Sequence, residues 1–185
     1  MLFRSDHAIP PHKVNYRANI WALKEMGVKQ VVAVAAIGGI TKAMLPGQVS
    51  IPNQIIDYTW GREHTFFDGP QVEHIDFSWP YCEALRTQLL QAASATGVNA
   101  VDGGTYGATQ GPRLESAAEI SRMEQDGCDI VGMTGMPEAG LARELELCYA
   151  CCAVSANWAA GKSEGEITME EITENLKSGM AQVKE

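Results

Sequence analysis

Two uncharged runs, Val31-Val-Ala-Val-Ala-Ala36 and Leu147-Cys-Tyr-Ala-Cys-Cys-Ala-Val154, constrain this chain most. Both are far shorter than the roughly 20 apolar residues that span a bilayer. An unbroken apolar run of this length reads as a strand covered on both faces. Such strands need helices on each side of their sheet, and the intervening segments supply them. Val14–Met26 carries Ile20, Trp21 and Leu23 at helical spacing, and Gly27 stops it. Tyr81–Ala95 follows Pro80 at a first turn, Glu115–Gln125 follows the bend Gly111-Pro-Arg113, and Pro137–Leu147 and Thr168–Val183 complete the helices. Further strands are expected at Val49–Ile51, Ile55–Tyr58, Asp129–Val131 and Cys148–Ser155. Val98–Ala108 alternates like a strand but is interrupted by Gly103, Gly104 and Gly107. Residues 59–78 read as a long functional loop.

Strands and helices alternate without a linker or repeat. The expectation is one α/β domain over residues 1–185, with a mixed, largely parallel sheet flanked by helices. Its ligands belong at the carboxyl ends of the strands. The segments to inspect are therefore Ala35–Ile40, Met133–Glu138 and Ser155–Gly161.

Composition narrows the function. The 185 residues hold 14 Lys+Arg against 23 Asp+Glu. Residues 1–92 are balanced at eight and eight, so the net −9 arises entirely after residue 92. An acidic surface argues against nucleic acid and anionic membranes as partners. No secretory signal is visible at the start, which points to the cytoplasm. The five cysteines (82, 128, 148, 151 and 152) are odd in number and suggest no disulfide framework. Cys148 and Cys151 would face opposite sides of a strand, so they read as buried core rather than as metal ligands.

Dinucleotide, P-loop, zincin and α/β-hydrolase motifs are all missing. The strand ends remain. Thr134, in Met133-Thr-Gly-Met-Pro-Glu138, is either a cap or a hydroxyl donor before a helix N-terminus that suits phosphate. The turn after Ala36 at Gly38-Gly39 lets backbone approach an anion, or is merely a turn. Asn157, among small apolar residues, either meets a ligand with its amide or closes its own turn.

The run Pro11-His-Lys-Val-Asn-Tyr-Arg-Ala-Asn-Ile-Trp-Ala-Leu-Lys24 carries a resemblance. So do Gly38-Gly39 with Pro46-Gly47, Thr109-Gln-Gly-Pro-Arg113 and Asp129-Ile-Val-Gly-Met-Thr-Gly-Met-Pro-Glu138. In order from about His7 to the C-terminus, these residues resemble the methylthioadenosine phosphorylase branch of the purine nucleoside phosphorylases, and within it the methylthioinosine phosphorylase subgroup. The resemblance implies a nucleoside phosphorylase-like fold, a homotrimer and purine salvage: phosphate cleaves a purine nucleoside to free base and ribose 1-phosphate. No metal or cofactor is implied, inorganic phosphate being the co-substrate. By the same resemblance Thr134 and the backbone around Ala36 hold phosphate, and Met133 contacts ribose. Leu114 and Glu115 line the base and sugar pocket, with Asn157, Trp158 and Ala159 at the purine. Met169 and Ile172 form the wall around the 5′ group, and His74 reaches into a neighbouring subunit's site.

Asn157 carries the sharpest expectation. Adenosine-type members have Asp there and a second Asp two residues on, where this chain has Ala159. An amide donates through its NH₂ and suits a 6-oxopurine. The expected substrate is therefore 5′-methylthioinosine, released as hypoxanthine. Two departures stand beside this. Family members open with a strand, a Gly/Thr phosphate loop and an Arg-His-Gly that Met1–Asp6 does not reproduce, Arg4 being a poor substitute, so the chain is expected to begin inside the fold. Ala35 stands where relatives offer phosphate a hydroxyl or amide. The competing expectations are a nucleosidase using water and a non-catalytic remnant that binds nucleosides or only oligomerises.

Overall fold

The two apolar runs form the longest strands of the computed structural model, which describes residues 9–70, 72–164 and 168–184. The Met1–Asp6 segment lies outside the described residues. Strand β1 (Gln30–Gly39) pairs in parallel with β7 (Cys148–Trp158) along its whole length. The remaining strands are β2 (Val49–Ile51), β3 (Gln54–Asp57), β4 (Ala100–Asp102), β5 (Thr105–Ala108) and β6 (Ile130–Gly132). They join one seven-stranded sheet in the order β3-β5-β6-β1-β7-β2-β4. Pairing is parallel except between β1 and β6 and between β2 and β7. The sheet is thus mixed and largely parallel, as expected.

Helices α1 (Tyr16–Glu25), α2 (Glu83–Thr96), α3 (Ala117–Gln125), α4 (Glu138–Glu144) and α5 (Met169–Val183) flank it. Local sequence explains their ends. Asn15 caps α1 by accepting from Ala18 N at 2.9 Å. Ser116 and Glu119 form a reciprocal capping box at α3. Gly97, at φ 76°, closes α2 in the left-handed region. Helix α5 approaches β7 so closely that a Cβ on Gly179 would collide with Val154 Cγ1.

Three expectations need correction. Strand β1 is covered on both faces only toward its carboxyl end. Ala35 and Ile37 are buried, but Val32 is 41% exposed because nothing described covers that face. Helix α4 starts one residue late, with Pro137 rather than Thr134 at its cap, so Met133–Met136 is a loop. Cys82 and Cys148 form a disulfide, with Cα atoms 5.2 Å apart. Chain folding brings them together: the start of α2 docks beside β7, where Cys82 N donates to Tyr149 O at 2.8 Å. Cys128, Cys151 and Cys152 are free and buried.

Among the described residues no helix is long and apolar enough to cross a membrane, and no cluster of three or more His, Cys, Asp or Glu could hold a metal ion.

Candidate functional site

Register places the site. β6 runs antiparallel to β1, Gly38 opposite Val131, so the residues after β6 return alongside Ile37 and Ala36. A Cβ on Gly132 would come within 3.1 Å of Ile37 Cγ2, which marks how closely these segments meet. At the other edge of β1 the pairing slips between Ile37 and Gly38: Ile37 faces Ser155, but Gly38 faces Asn157. Ala156 is the extra residue of a β-bulge. Alternation along β7 breaks there, and both Ala156 and Asn157 face one cavity. Asn175 of α5 holds the bulge by donating to Ala156 O at 2.9 Å.

The cavity measures about 440 Å³, within the range of small-molecule sites. Of the residues expected at a site, Ala36, Met133, Thr134, Leu114, Glu115, Asn157, Ala159 and Ile172 lie on its wall. Trp158, Met169 and His74 do not. Trp158 pairs with Gly39 at the end of β7 and is half-buried away from the lining. Met169 opens α5 and is 71% exposed. His74 is exposed on the long loop before α2. Ala35 is buried in the core, one residue and one strand face away from Ala36, so its side chain is turned from the cavity.

Few polar groups enter this apolar space. Glu115 is the one ionisable side chain among the described lining residues, and its Oε1 accepts from Thr109 Oγ1 at 2.6 Å. Asn157 Nδ2 donates to Trp158 O at 2.6 Å. The turn-closing role is therefore real, but it uses only one of the two amide N–H bonds. Thr134 shares the wall. Sequence reasoning missed a further wall, Ile9, Pro10, Pro11 and Val14, which no periodicity announces. It also missed Arg62, which lies outside the lining but donates from its buried guanidinium to Met133 O of the wall.

The nearby titratable groups limit the chemistry. Burial pushes the Cys151 thiol well above its ordinary range and the Cys152 thiol up to about 11. Neither is a thiolate at neutral pH, so neither serves as a nucleophile. Burial also raises the Glu138 carboxyl, which accepts from Tyr149 OH at 2.8 Å. Tyr16 is pushed up to about 12 by burial, against the opposing pull of Arg62. What remains is a cavity that can bind, orient and hydrogen-bond a small molecule, with no thiolate to attack it. A second cavity of about 350 Å³ lies across Glu115, but its arginines are engaged. Arg113 is paired with Glu119 at 2.7 Å and Arg122 sits over the Tyr58 ring.

The chain is 60% identical over 180 residues to a probable S-methyl-5′-thioinosine phosphorylase of Pseudomonas syringae, covering 96% of this chain and 73% of that protein. It is 49% identical over 178 residues to a 6-oxopurine nucleoside phosphorylase of Pyrococcus furiosus, covering 92% and 67%. The solved methylthioadenosine phosphorylase of Schistosoma mansoni in complex with adenine superposes with TM-score 0.92 at 34% identity, covering 97% of this chain and 70% of that one. The family profile of the Phosphorylase superfamily matches residues 2–185, and the chain belongs to that family.

Proposed function

We propose that this chain is a purine nucleoside phosphorylase that cleaves 5′-methylthioinosine with inorganic phosphate to hypoxanthine and 5-methylthioribose 1-phosphate, a step of purine salvage in the cytoplasm. One observation carries the reading: an amide donor, Asn157, and a carboxylate acceptor, Glu115, share one otherwise apolar cavity with Thr134. A 6-oxopurine presents acceptors at O6 and N7 and a donor at N1. The one Asn157 N–H left over from Trp158 O faces these adjacent acceptors, and Glu115 matches the donor. A 6-aminopurine inverts the pattern at position 6 and carries no proton on N1, leaving buried groups unpaired at about 1–3 kcal/mol each. The names of the relatives, thioinosine and 6-oxopurine phosphorylases, support the same choice.

Breaking the C1′–N9 bond builds positive charge on the sugar and negative charge on the purine. The Asn157 amide, donating to the departing base, is stronger when that charge develops than before it, which is how it lowers the barrier. Phosphate enters on the side of Thr134 and the Ala36–Gly38 backbone, and Met133 lies against the ribose. Leu114 lines the base and sugar with Glu115, and Ile172 offers an apolar wall to the 5′ methylthio group. The reading needs no side-chain nucleophile, consistent with the buried, neutral thiols.

The reading includes a homotrimer in which His74 reaches the neighbouring site. Exposed apolar side chains on its loop support an interface there: Trp60 is 72% and Trp79 66% exposed. The test is a hypoxanthine-release assay on 5′-methylthioinosine with and without phosphate. Release that requires phosphate is expected. Equal release without phosphate would select a nucleosidase, and calorimetric nucleoside binding without product would select a non-catalytic binder.

A further inference from the structure

Arg62 is the most heavily engaged side chain near the cavity, yet it does not touch it. Only 8% of its surface is exposed. Its Nη1 donates to Met133 O at 2.9 Å and Met136 O at 2.5 Å. Its Nη2 donates to Thr109 O at 3.1 Å and Gln110 O at 2.9 Å, and its Nε to Gln110 Oε1 at 3.2 Å. Nη1 also reaches Tyr16 OH at 3.3 Å, and that hydroxyl donates onward to Pro11 O at 3.0 Å. No carboxylate forms an ion pair with Arg62 among the described residues; backbone carbonyls take the place of an anion.

The acceptors fall on three segments, each belonging to a different wall. Met133 and Met136 bracket the loop that carries Thr134. Thr109 and Gln110 open the segment that carries Leu114 and Glu115, and Pro11 lies in the wall formed by Ile9–Val14. A planar guanidinium with five donors in a fixed fork can hold such segments at set distances, whereas an ammonium can satisfy only some of them. The three segments are far apart in sequence and are not all neighbours in the sheet.

We infer that Arg62 is a positioning residue that locks three walls of the nucleoside cavity to one another and so fixes Thr134 and Glu115 relative to Pro11. The inference takes its activity readout from the phosphorolysis proposed above. A site loosened by about 1 Å loses on the order of a hundredfold in rate.

The experiment compares Arg62→Lys with wild type in steady-state phosphorolysis and in amide hydrogen exchange. A second variant, Leu85→Ala, removes a buried side chain of α2 that is absent from the cavity wall and serves as a destabilised control. The expected result for Arg62→Lys is a kcat/KM lowered by about ten- to a hundredfold, shared between kcat and KM. Amides of Gln110, Gly111, residues 113–115 and residues 133–136 should exchange faster while those of β7 keep their protection. Leu85→Ala should melt earlier with kcat/KM and loop exchange unchanged below its transition. Wild-type kinetics and wild-type loop exchange in Arg62→Lys would overturn the inference, as would an equal kinetic loss in Leu85→Ala. A wild type that releases no purine would defeat the proposed function alone, because loop exchange still decides the role of Arg62.

Discussion

Substituting Asn157→Asp exchanges a donor for an acceptor at the base of the cavity, and the structure sets the consequence. The side-chain nitrogen lies 2.6 Å from Trp158 O. A carboxylate oxygen in that place would meet a carbonyl oxygen at hydrogen-bond distance, so the new group must take up a proton or turn away. Turned away, it leaves O6 of a 6-oxopurine without its donor. Protonated, it donates through O–H and accepts through its other oxygen, which suits a 6-amino group. Counting the lost and gained partners together at about 1–3 kcal/mol each, the preference for oxo over amino shifts by about 2–6 kcal/mol, or about 30- to 20,000-fold. The assay is kcat/KM for 5′-methylthioinosine and 5′-methylthioadenosine with wild type and variant at one phosphate concentration. The expected change falls on the ratio, by loss on the inosine side and gain on the adenosine side. An unchanged ratio in a folded variant would refute the argument that Asn157 reads position 6.

Three further outcomes follow from packing and charge. Gly179→Ala gains about 1 kcal/mol of helix propensity but drives a methyl into Val154 Cγ1; overpacking at about 1–3 kcal/mol should win, and denaturant melts should show a net loss. Arg86, 4% exposed, donates to Ile51 O, Pro52 O and the Glu83 and Asp102 carboxylates, so Arg86→Met should cost about 2–4 kcal/mol by leaving buried carbonyls unpaired, read from the same melts. Burial raises the Glu138 carboxyl, so the native state holds its proton more tightly than the unfolded chain. The stability this contributes is present below the ordinary carboxylate pKa and is lost as pH rises through the raised native value. Glu138→Gln keeps an oxygen for Tyr149 OH and should flatten that part of the stability–pH curve, as thermal melts across the range would show.

Much of the framework was legible because it depends on local pattern. The apolar runs became β1 and β7, the glycine interruptions of 98–108 divided β4 from β5, and the described residues of 59–78 contain no helix or strand. What escaped the sequence is pairing across distance. Cys82 meets Cys148 across 66 residues, and Arg62 reaches Met133 across 71. Neither partner carries a local mark that separates it from an ordinary core thiol or surface cation. The half-open face of β1 was likewise invisible, since Val32 and Ile37 are both apolar and only the fold decides which is covered.

The site divides along the same line. Strand ends located Ala36, Thr134 and Asn157 because the carboxyl end of a strand can be read from where its apolar run stops. The bulge at Ala156 could not be read, and it is what turns Asn157 and its neighbour toward the same space. The wall from Ile9 to Val14 depends on Tyr16 and Arg62 folding over it, a contact with no periodic signature.

Competition tests the central claim most directly. With phosphate present, equal concentrations of 5′-methylthioinosine and 5′-methylthioadenosine are offered to the wild-type protein, and the two free bases are separated and quantified at early time. The account predicts hypoxanthine in large excess. Adenine released as fast as hypoxanthine, or faster, would contradict it.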